Sequence, residues 1–168
     1  MLPAYFANMA PVIFKGIAKK LAFPVDFNKR IKNKPIFGKN KTFRGIIFGV
    51  LSAIIIAFLQ YLLYNYQFFK DISFINYSNW LFVGFLMGSG AIIGDLAGSF
   101  VKRRLNFASG KRFVPFDQLD FVIGALFFIS IVVDLRLLVI VTILIISFIL
   151  HVIVNHLAFY LKIRKEKW

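Results

Sequence analysis

Three of the chain's seven acidic residues fall close together in an otherwise strongly basic sequence. Asp95 stands inside an apolar segment, and Asp117 and Asp120 follow after a basic turn. Carboxylate oxygens are hard ligands that suit Mg²⁺, which proteins often bind together with the phosphates of a substrate. Because the chain has no cysteine, thiolate metal sites, disulfides and a cysteine nucleophile are all excluded. We therefore predict that the three aspartates bind Mg²⁺, although Asp117 or Asp120 would also suit a helix N-cap.

Hydroxyl and basic side chains accompany Asp95 at helical spacing. Since a helix turns about every 3.6 residues, Asp95, Ser99 and Lys102 project from one face, and Arg103 lies just beside it. The alternative is a packing seam that holds an ion pair between Asp95 and Lys102. We expect instead that Lys102 and Arg103 contact phosphate oxygens, with Ser99 as a secondary polar contact. Further basic residues follow in the same part of the chain: Arg104, Lys111 and Arg112.

A second segment rich in donors and glycine spans residues 37–45. It contains Lys39, Lys41, Thr42 and Arg44, which are able to surround a polyphosphate. The segment is not a P-loop, because the glycine–lysine spacing and the preceding strand of that motif are missing. The alternative is a basic anchor that only sets the orientation of the next helix in the membrane.

Apolar runs of membrane-spanning length must position these residues, since 60% of the chain is hydrophobic. Residues 46–64 and 80–101 are each close to the roughly 20 residues that cross a bilayer. Residues 121–161 form about twice that length, which predicts two helices joined by a turn at residues 133–137. Residues 2–14 are too short to cross, so they predict a re-entrant segment or a truncated first helix. The expected fold is an all-α integral membrane protein with four full transmembrane helices plus this short N-terminal helix, in a single domain over residues 1–168.

The basic residues are distributed very unevenly between the loops. Ten of the 21 lie in residues 15–44, five in residues 102–112 and four in residues 162–167, which leaves only Lys70 and Arg136 elsewhere. Loops rich in Lys and Arg next to transmembrane helices remain on the cytoplasmic side. We therefore expect a multi-pass protein of the cell membrane with large cytoplasmic loops, a cytoplasmic active site and a cytoplasmic C-terminus.

Taken together, these motifs make the sequence similar to the archaeal CDP-archaeol synthases, which are relatives of the CDP-diacylglycerol synthases. The Gly-Asp-x3-Ser-x2-Lys-Arg string at Gly94, followed by the paired aspartates, is the most specific part of the resemblance. Family members carry more apolar residues ahead of the Leu-Pro-Ala-Tyr string, so a first helix without its outer half is expected. The resemblance runs nearly from end to end, through residues 2–8 with Pro11, 38–45, 94–104, 115–120, and 151–155 with Trp168.

The resemblance implies an enzyme with five transmembrane helices that joins CTP to an archaeal ether lipid phosphate, 2,3-bis-O-geranylgeranyl-sn-glycerol 1-phosphate. The products would be CDP-archaeol and pyrophosphate, and the cofactor would be Mg²⁺. An attacking lipid phosphate is already anionic, so the reaction needs no general base, and its barrier is charge repulsion that metal ions and fixed cations relieve. The residues expected to be catalytic are Asp95, Lys102, Asp117 and Asp120. Asn8 is expected near the lipid substrate or in a hydrogen bond between helices.

The expected nucleotide- and phosphate-binding residues come from both motifs: Lys39, Lys41, Thr42, Arg44, Ser99, Arg103 and Arg104. The expected partners are CTP, the lipid phosphate and the bilayer, without nucleic acid, and a homodimer is an alternative to a monomer. A small transporter or channel with Asp95 in its polar path is an alternative function. A CDP-diacylglycerol synthase that acts on ester phosphatidic acid is another. A CDP-alcohol phosphotransferase is disfavoured, because its Asp-Gly-x2-Ala-Arg-x8-Gly-x3-Asp-x3-Asp string is absent.

Overall fold

The structure, a computed structural model, describes residues 1–109, 111 and 113–160, including their side chains except those of Asn155 and Ala158. The described part of the chain is mainly helical. Its α-helices are α1 (Leu2–Ile13), α2 (Phe43–Tyr64), α3 (Gln67–Asp71), α4 (Trp80–Arg104), α5 (Phe116–Ile129) and α6 (Leu137–Tyr160). Two short strands, β1 (Arg30–Ile31) and β2 (Lys34–Pro35), pair antiparallel in the long loop between α1 and α2.

Three helical segments among the described residues are long and apolar enough to cross a membrane: Phe43–Tyr64, Tyr77–Arg104 and Leu137–Val154. The chain is therefore a multi-pass membrane protein, as expected. The third of the four expected full helices corresponds to α5, which has 14 residues, ends at Ile129 and is not among these three segments. At about 1.5 Å per residue, α5 is roughly 21 Å long. The connection to α6 is correspondingly longer than the predicted turn and covers residues 130–136.

Small residues allow α2 to pack closely against both α1 and α4. Gly45, Gly49, Ala53 and Ala57 are buried at a spacing of four residues, which places them on one face of α2. A Cβ on Gly49 would lie 2.7 Å from the Ile92 side chain and 3.1 Å from the carbonyl oxygen of Ala7. The helix backbones thus approach to a distance that larger side chains would not permit.

The seam between α4 and α5 is closer still. Added Cβ atoms on Gly94 and Gly98 would collide with the backbone and the carboxylate of Asp120, respectively. A Cβ on Gly124 would collide with the carbonyl oxygen of Gly90. Glycine is required at these positions because nothing larger fits between the two helices. This close packing therefore fixes the position of Asp120 opposite Gly94 and Gly98 of α4.

Helix α6 packs on the outside of the bundle, against α5. Most of its large apolar side chains are exposed, as expected for a surface that faces lipid tails. One polar contact of α6 to the rest of the bundle is a hydrogen bond that the Tyr5 hydroxyl donates to Ser147 Oγ at 2.6 Å. The His151 ring lies 6.1 Å from the Phe121 ring, so the end of α6 lies beside the beginning of α5.

The loop between α1 and α2 is folded and contains the β-hairpin, which the all-α expectation did not include. Lys32 and Asn33 connect the two strands with positive φ angles of 50° and 62°. Two consecutive residues with positive φ form a two-residue hairpin turn whose twist matches that of the flanking strands. The hairpin lies against the end of α4, because Lys34 Nζ donates to the carbonyl oxygen of Arg104 at 3.1 Å.

Candidate active site

The predicted site residues gather at one end of the helical bundle. The beginning of α2, the end of α4 and the beginning of α5 all lie at this end. Lys41 contacts Asp95 across 54 residues of sequence, and Lys102 contacts Asp117 across 15. The loop between α1 and α2 (the first loop) and the loop between α4 and α5 (the second loop) therefore lie on one side of the protein, as their charge predicted.

Asp95 is bound by Lys41, the last residue before the N-cap of α2. The Lys41 ammonium lies 2.6 and 2.5 Å from the two carboxylate oxygens. Both side chains are partly exposed, with 25% of Lys41 and 29% of Asp95 accessible. This contact joins the two motifs that the sequence suggested separately.

Asp117 is bound in the same way by Lys102. The Lys102 ammonium lies 2.9 and 2.7 Å from the two oxygens of Asp117, and the backbone N–H of Phe113 donates to the same carboxylate at 2.9 Å. The alternative of an ion pair between Asp95 and Lys102 is wrong, because each takes its partner from another segment. The packing of α4 against α5 brings Asp117 within reach of Lys102. Asp95 instead contacts Lys41 of the first loop.

Asp120 lies between α4 and α5, one turn along from Asp117. Its Oδ1 accepts the backbone N–H of Phe121 at 2.7 Å, and its Oδ2 faces Gly98. It interacts electrostatically with Asp95, Asp117 and Lys41. In the described residues, however, no group of three or more His, Cys, Asp or Glu side chains is arranged to hold a metal ion.

A cavity of about 210 Å³ opens beside the pair of Lys41 and Asp95, between α1, α2, α4 and the first loop. Its polar lining includes Asn8 and Thr42 together with the ion pair, and the remaining lining is mainly apolar. Thr42 is also the N-cap of α2, since its hydroxyl accepts the backbone N–H of Gly45 at 3.2 Å. Four predicted site residues are thus brought together around one space.

Ser99 and Arg103 are buried near the C-terminal end of α4, with 7% and 6% of their surfaces exposed. Arg103 donates a short hydrogen bond to the carbonyl oxygen of Phe107, and its buried Nε has no partner among the described residues. A Cβ on Gly38 would lie 3.8 Å from this Nε. Arg103 therefore lies between the end of α4 and the first loop.

Two other predicted phosphate ligands hold the first loop in this structure. Arg104 donates to the carbonyl oxygens of Ile31, Lys34 and Pro35 at 2.8, 3.3 and 2.5 Å. Arg44 donates to the carbonyl oxygen of Lys15 at 2.5 Å. The hydrogen bonds of both guanidinium groups anchor backbone segments that lie far away in sequence.

The remaining basic residues lie on the surface or outside the described residues. Lys39 and Lys111 are exposed. Arg112 and residues 161–168, which include the basic tail and Trp168, lie outside the described residues. Their predicted contribution to the site stays a prediction.

Sequence reasoning missed Asp26, which is only 4% exposed. Its carboxylate accepts the backbone N–H groups of Asn28, Phe37 and Gly38, each at 3.0 Å. Burial alone would raise the pKa of Asp26, but these N–H groups outweigh burial and hold the pKa below its ordinary value of 3.8. The bond to Asn28 is the local aspartate turn that an Asp-x-Asn sequence permits, so a partial signal was present.

Comparisons with known proteins identify the family to which the chain belongs. The whole chain, residues 1–168, matches the family described as CarS-like: CDP-archaeol synthase. The CDP-archaeol synthase of Methanocaldococcus jannaschii is 37% identical over 170 residues, which cover 100% of this chain and 93% of the relative. That of Pyrococcus furiosus is 36% identical over 169 residues, which cover 100% of this chain and 94% of the relative.

A solved structure agrees as well. It is described as an intramembrane enzyme for archaeal membrane lipid biosynthesis, with a TM-score of 0.76 and 29% sequence identity. The match covers 92% of this chain and 89% of that structure. The chain therefore belongs to the CDP-archaeol synthase family, whose members are membrane-embedded cytidylyltransferases.

Proposed function

We propose that this enzyme transfers CMP from CTP to 2,3-bis-O-geranylgeranyl-sn-glycerol 1-phosphate, releasing pyrophosphate and forming CDP-archaeol. Family membership supports CTP-dependent cytidylyl transfer in archaeal lipid synthesis over the alternative of a transporter or channel. The observation that carries the finer proposal is the cavity in which Lys41 and Asp95 meet beside an apolar wall. A cation, a carboxylate and an apolar surface suit the junction between a lipid and its phosphate.

The lining of this cavity combines polar groups with apolar side chains. Asn8, Asn40, Lys41, Thr42 and Asp95 supply its polar groups. The apolar lining comes from α1, α2 and α4. On the edge formed by α1, the lining residue Val12 is 77% exposed, so the cavity borders the protein surface there. We assign the lipid phosphate to the polar groups of the lining, with Asn8 as a hydrogen-bonding partner of the lipid head.

Charge, rather than proton transfer, governs the proposed reaction. An oxygen of the lipid phosphate forms a bond to the α-phosphorus of CTP, and the bond from that phosphorus to the pyrophosphate oxygen breaks. The nucleophile is already an anion, so no side chain needs to remove its proton. The task of the protein is to hold two anions together, which fixed cations such as Lys41 and Lys102 do by offsetting their repulsion.

The carboxylates at this end have the donor chemistry for Mg²⁺. Asp95 and Asp117 each bind a lysine ammonium through both oxygens, which supports a role for these carboxylates in holding a cation. No three of the described acidic side chains are arranged around one ion in this structure, so we propose that Asp95, Asp117 and Asp120 would hold Mg²⁺ after their carboxylates rearrange. The ion would supply Lewis-acid stabilisation of phosphate charge. Lys41 and Lys102 would then exchange their carboxylates for phosphate oxygens.

The basic end of the bundle is proposed to face the cytoplasm. It carries the first and second basic loops, and loops of this composition stay on the cytoplasmic side of transmembrane helices. CTP would reach the site directly from that side. A homodimer remains an alternative to a monomer, to be decided by the mass of the purified enzyme in detergent.

The test of this proposal is a substrate panel with purified enzyme in liposomes. Ether-linked and ester-linked lipid phosphates are each offered with the four nucleoside triphosphates, with Mg²⁺ or with excess EDTA. We expect CDP-lipid and pyrophosphate in equal amounts from CTP and the ether lipid, and no product with EDTA. Equal rates with the ester lipid would instead assign the broader CDP-diacylglycerol synthase activity. Turnover in EDTA would remove the metal from the proposal.

A further inference from the structure

Asp26 lies outside the cavity, yet it is connected to Lys41 by a short series of backbone contacts. Its Oδ2 accepts the N–H groups of two consecutive residues, Phe37 and Gly38, both at 3.0 Å. Its Oδ1 accepts the N–H of Asn28 at 3.0 Å. A carboxylate that accepts three backbone N–H groups holds the segments that carry them together, because each donor must keep its position for the hydrogen bond to persist.

Gly38 begins the turn that leads to Lys41. Its φ of +98° is a conformation that residues with a side chain rarely adopt. The Gly38 carbonyl oxygen accepts the backbone N–H of Lys41 at 3.1 Å, which closes a four-residue turn. The hydrogen bonds that hold the Gly38 peptide therefore also hold the backbone of Lys41 in place.

The other side of Lys41 is fixed by the residues next to Asp26. The backbone N–H of Val25 donates to the Lys41 carbonyl oxygen at 2.9 Å, and Pro24 forms an isolated bridge with Thr42. The Asp26 segment thus touches the backbone of the 38–42 turn at both ends. The Lys41 side chain emerges from this fixed backbone and reaches Asp95.

We propose that Asp26 is a positioning residue of the cytidylyltransferase, which sets the placement of the Lys41 ammonium at Asp95 without touching substrate. This inference rests on the role proposed above for Lys41. Replacing the carboxylate by an amide removes an acceptor, since an amide has one oxygen and its nitrogen cannot accept a backbone N–H. Either the 37–38 peptides or the Asn28 turn must then be released, which loosens the loop that holds the backbone of Lys41.

A double-mutant cycle in the full-length enzyme tests the inference. Asp26→Asn, Lys41→Met and the double variant are compared in kcat/KM for CTP, with Asp71→Asn as the matched control. Asp71 is an exposed aspartate of α3 that accepts a hydrogen bond from Gln67, so the control should retain wild-type activity. We expect Asp26→Asn to lower kcat/KM by about tenfold to 100-fold, the scale of a displaced positioning group. We also expect it to divide that loss between KM and kcat as Lys41→Met does.

The double variant decides between positioning and general destabilisation. If Asp26 acts through Lys41, the double variant has the same kcat/KM as Lys41→Met alone. Losses that multiply, or an unchanged Asp26→Asn enzyme, would overturn the inference. An unchanged Lys41→Met enzyme would instead overturn the proposed role of Lys41. Should Asp26→Asn fail to fold, Gly38→Ala strains the same turn at φ +98° and must show the same dependence on Lys41.

Discussion

Lys41 binds both carboxylate oxygens of Asp95, although the two residues are 54 positions apart. Their side chains keep 25% and 29% of their surfaces exposed, so water screens the pair. Partly exposed ion pairs stabilise a fold by only about 1 kcal/mol or less. A contact of this strength orders the site and still allows Lys41 to change partners when a more highly charged ligand arrives.

Asp95→Asn should abolish most of the activity and leave the fold intact. Asparagine keeps an oxygen that accepts from Lys41, but it removes the negative charge that a bound cation requires. We expect turnover to fall by at least about 100-fold, the scale found for removing one electrostatic group from an active site. CTP-dependent labelling of the lipid phosphate measures this, at matched expression and with Asp71→Asn as control. Retained activity would remove Asp95 from the proposed metal ligands.

Lys102→Ala should reduce activity far more than the removal of a surface lysine. Lys102 is 8% exposed and paired with Asp117, whereas Lys20 is exposed in the first loop. Removing the ammonium leaves the Asp117 carboxylate without its cation, which also lowers stability. We expect kcat/KM to fall by more than about tenfold in Lys102→Ala, and to stay near wild type in Lys20→Ala. Equal losses in the two variants would show that only the overall charge matters. Lys167, in the basic tail, lies outside the described residues and is less suitable as a control.

The sequence predicted the helical spans and the shared side of the basic loops. Apolar runs identify membrane-spanning helices, and clusters of Lys and Arg identify the loops on one side of the membrane. The sequence also singled out Asp95, Asp117 and Asp120. The partners of these residues were not predictable, since the contact between Lys41 and Asp95 depends on how α2 packs against α4. That packing is set by small residues such as Gly49, whose neighbours the sequence alone does not show. The turn after α5 begins earlier than predicted, because the apolar run continues beyond Ile129, where the helix ends.

The glycine seam between α4 and α5 gives a prediction about stability. An alanine Cβ at Gly94 would collide with the backbone of Asp120, and backbone cannot move aside as the end of a side chain can. We expect Gly94→Ala to lower the Tm by several degrees, because overpacking of this kind costs about 1–3 kcal/mol. Gly16→Ala is the matched control, since a Cβ there has no atom within 4 Å. A Gly94→Ala enzyme with the stability of Gly16→Ala would show that the helices separate freely.

Asp26 should make the enzyme sensitive to acid in a defined direction. Its pKa in the folded protein is lowered below 3.8, so the folded state favours the charged carboxylate more than the unfolded chain does. The resulting stabilisation is fully present above that ordinary value, and it is lost as the pH falls from there through the folded pKa. Comparing the Tm of wild type and Asp26→Asn at the same pH cancels the titration of the other carboxylates. We expect the wild type to be more stable at about pH 6 and the difference to shrink at about pH 3. A difference that stays constant over this range would mean that the charge of Asp26 is not what holds the turn at Gly38.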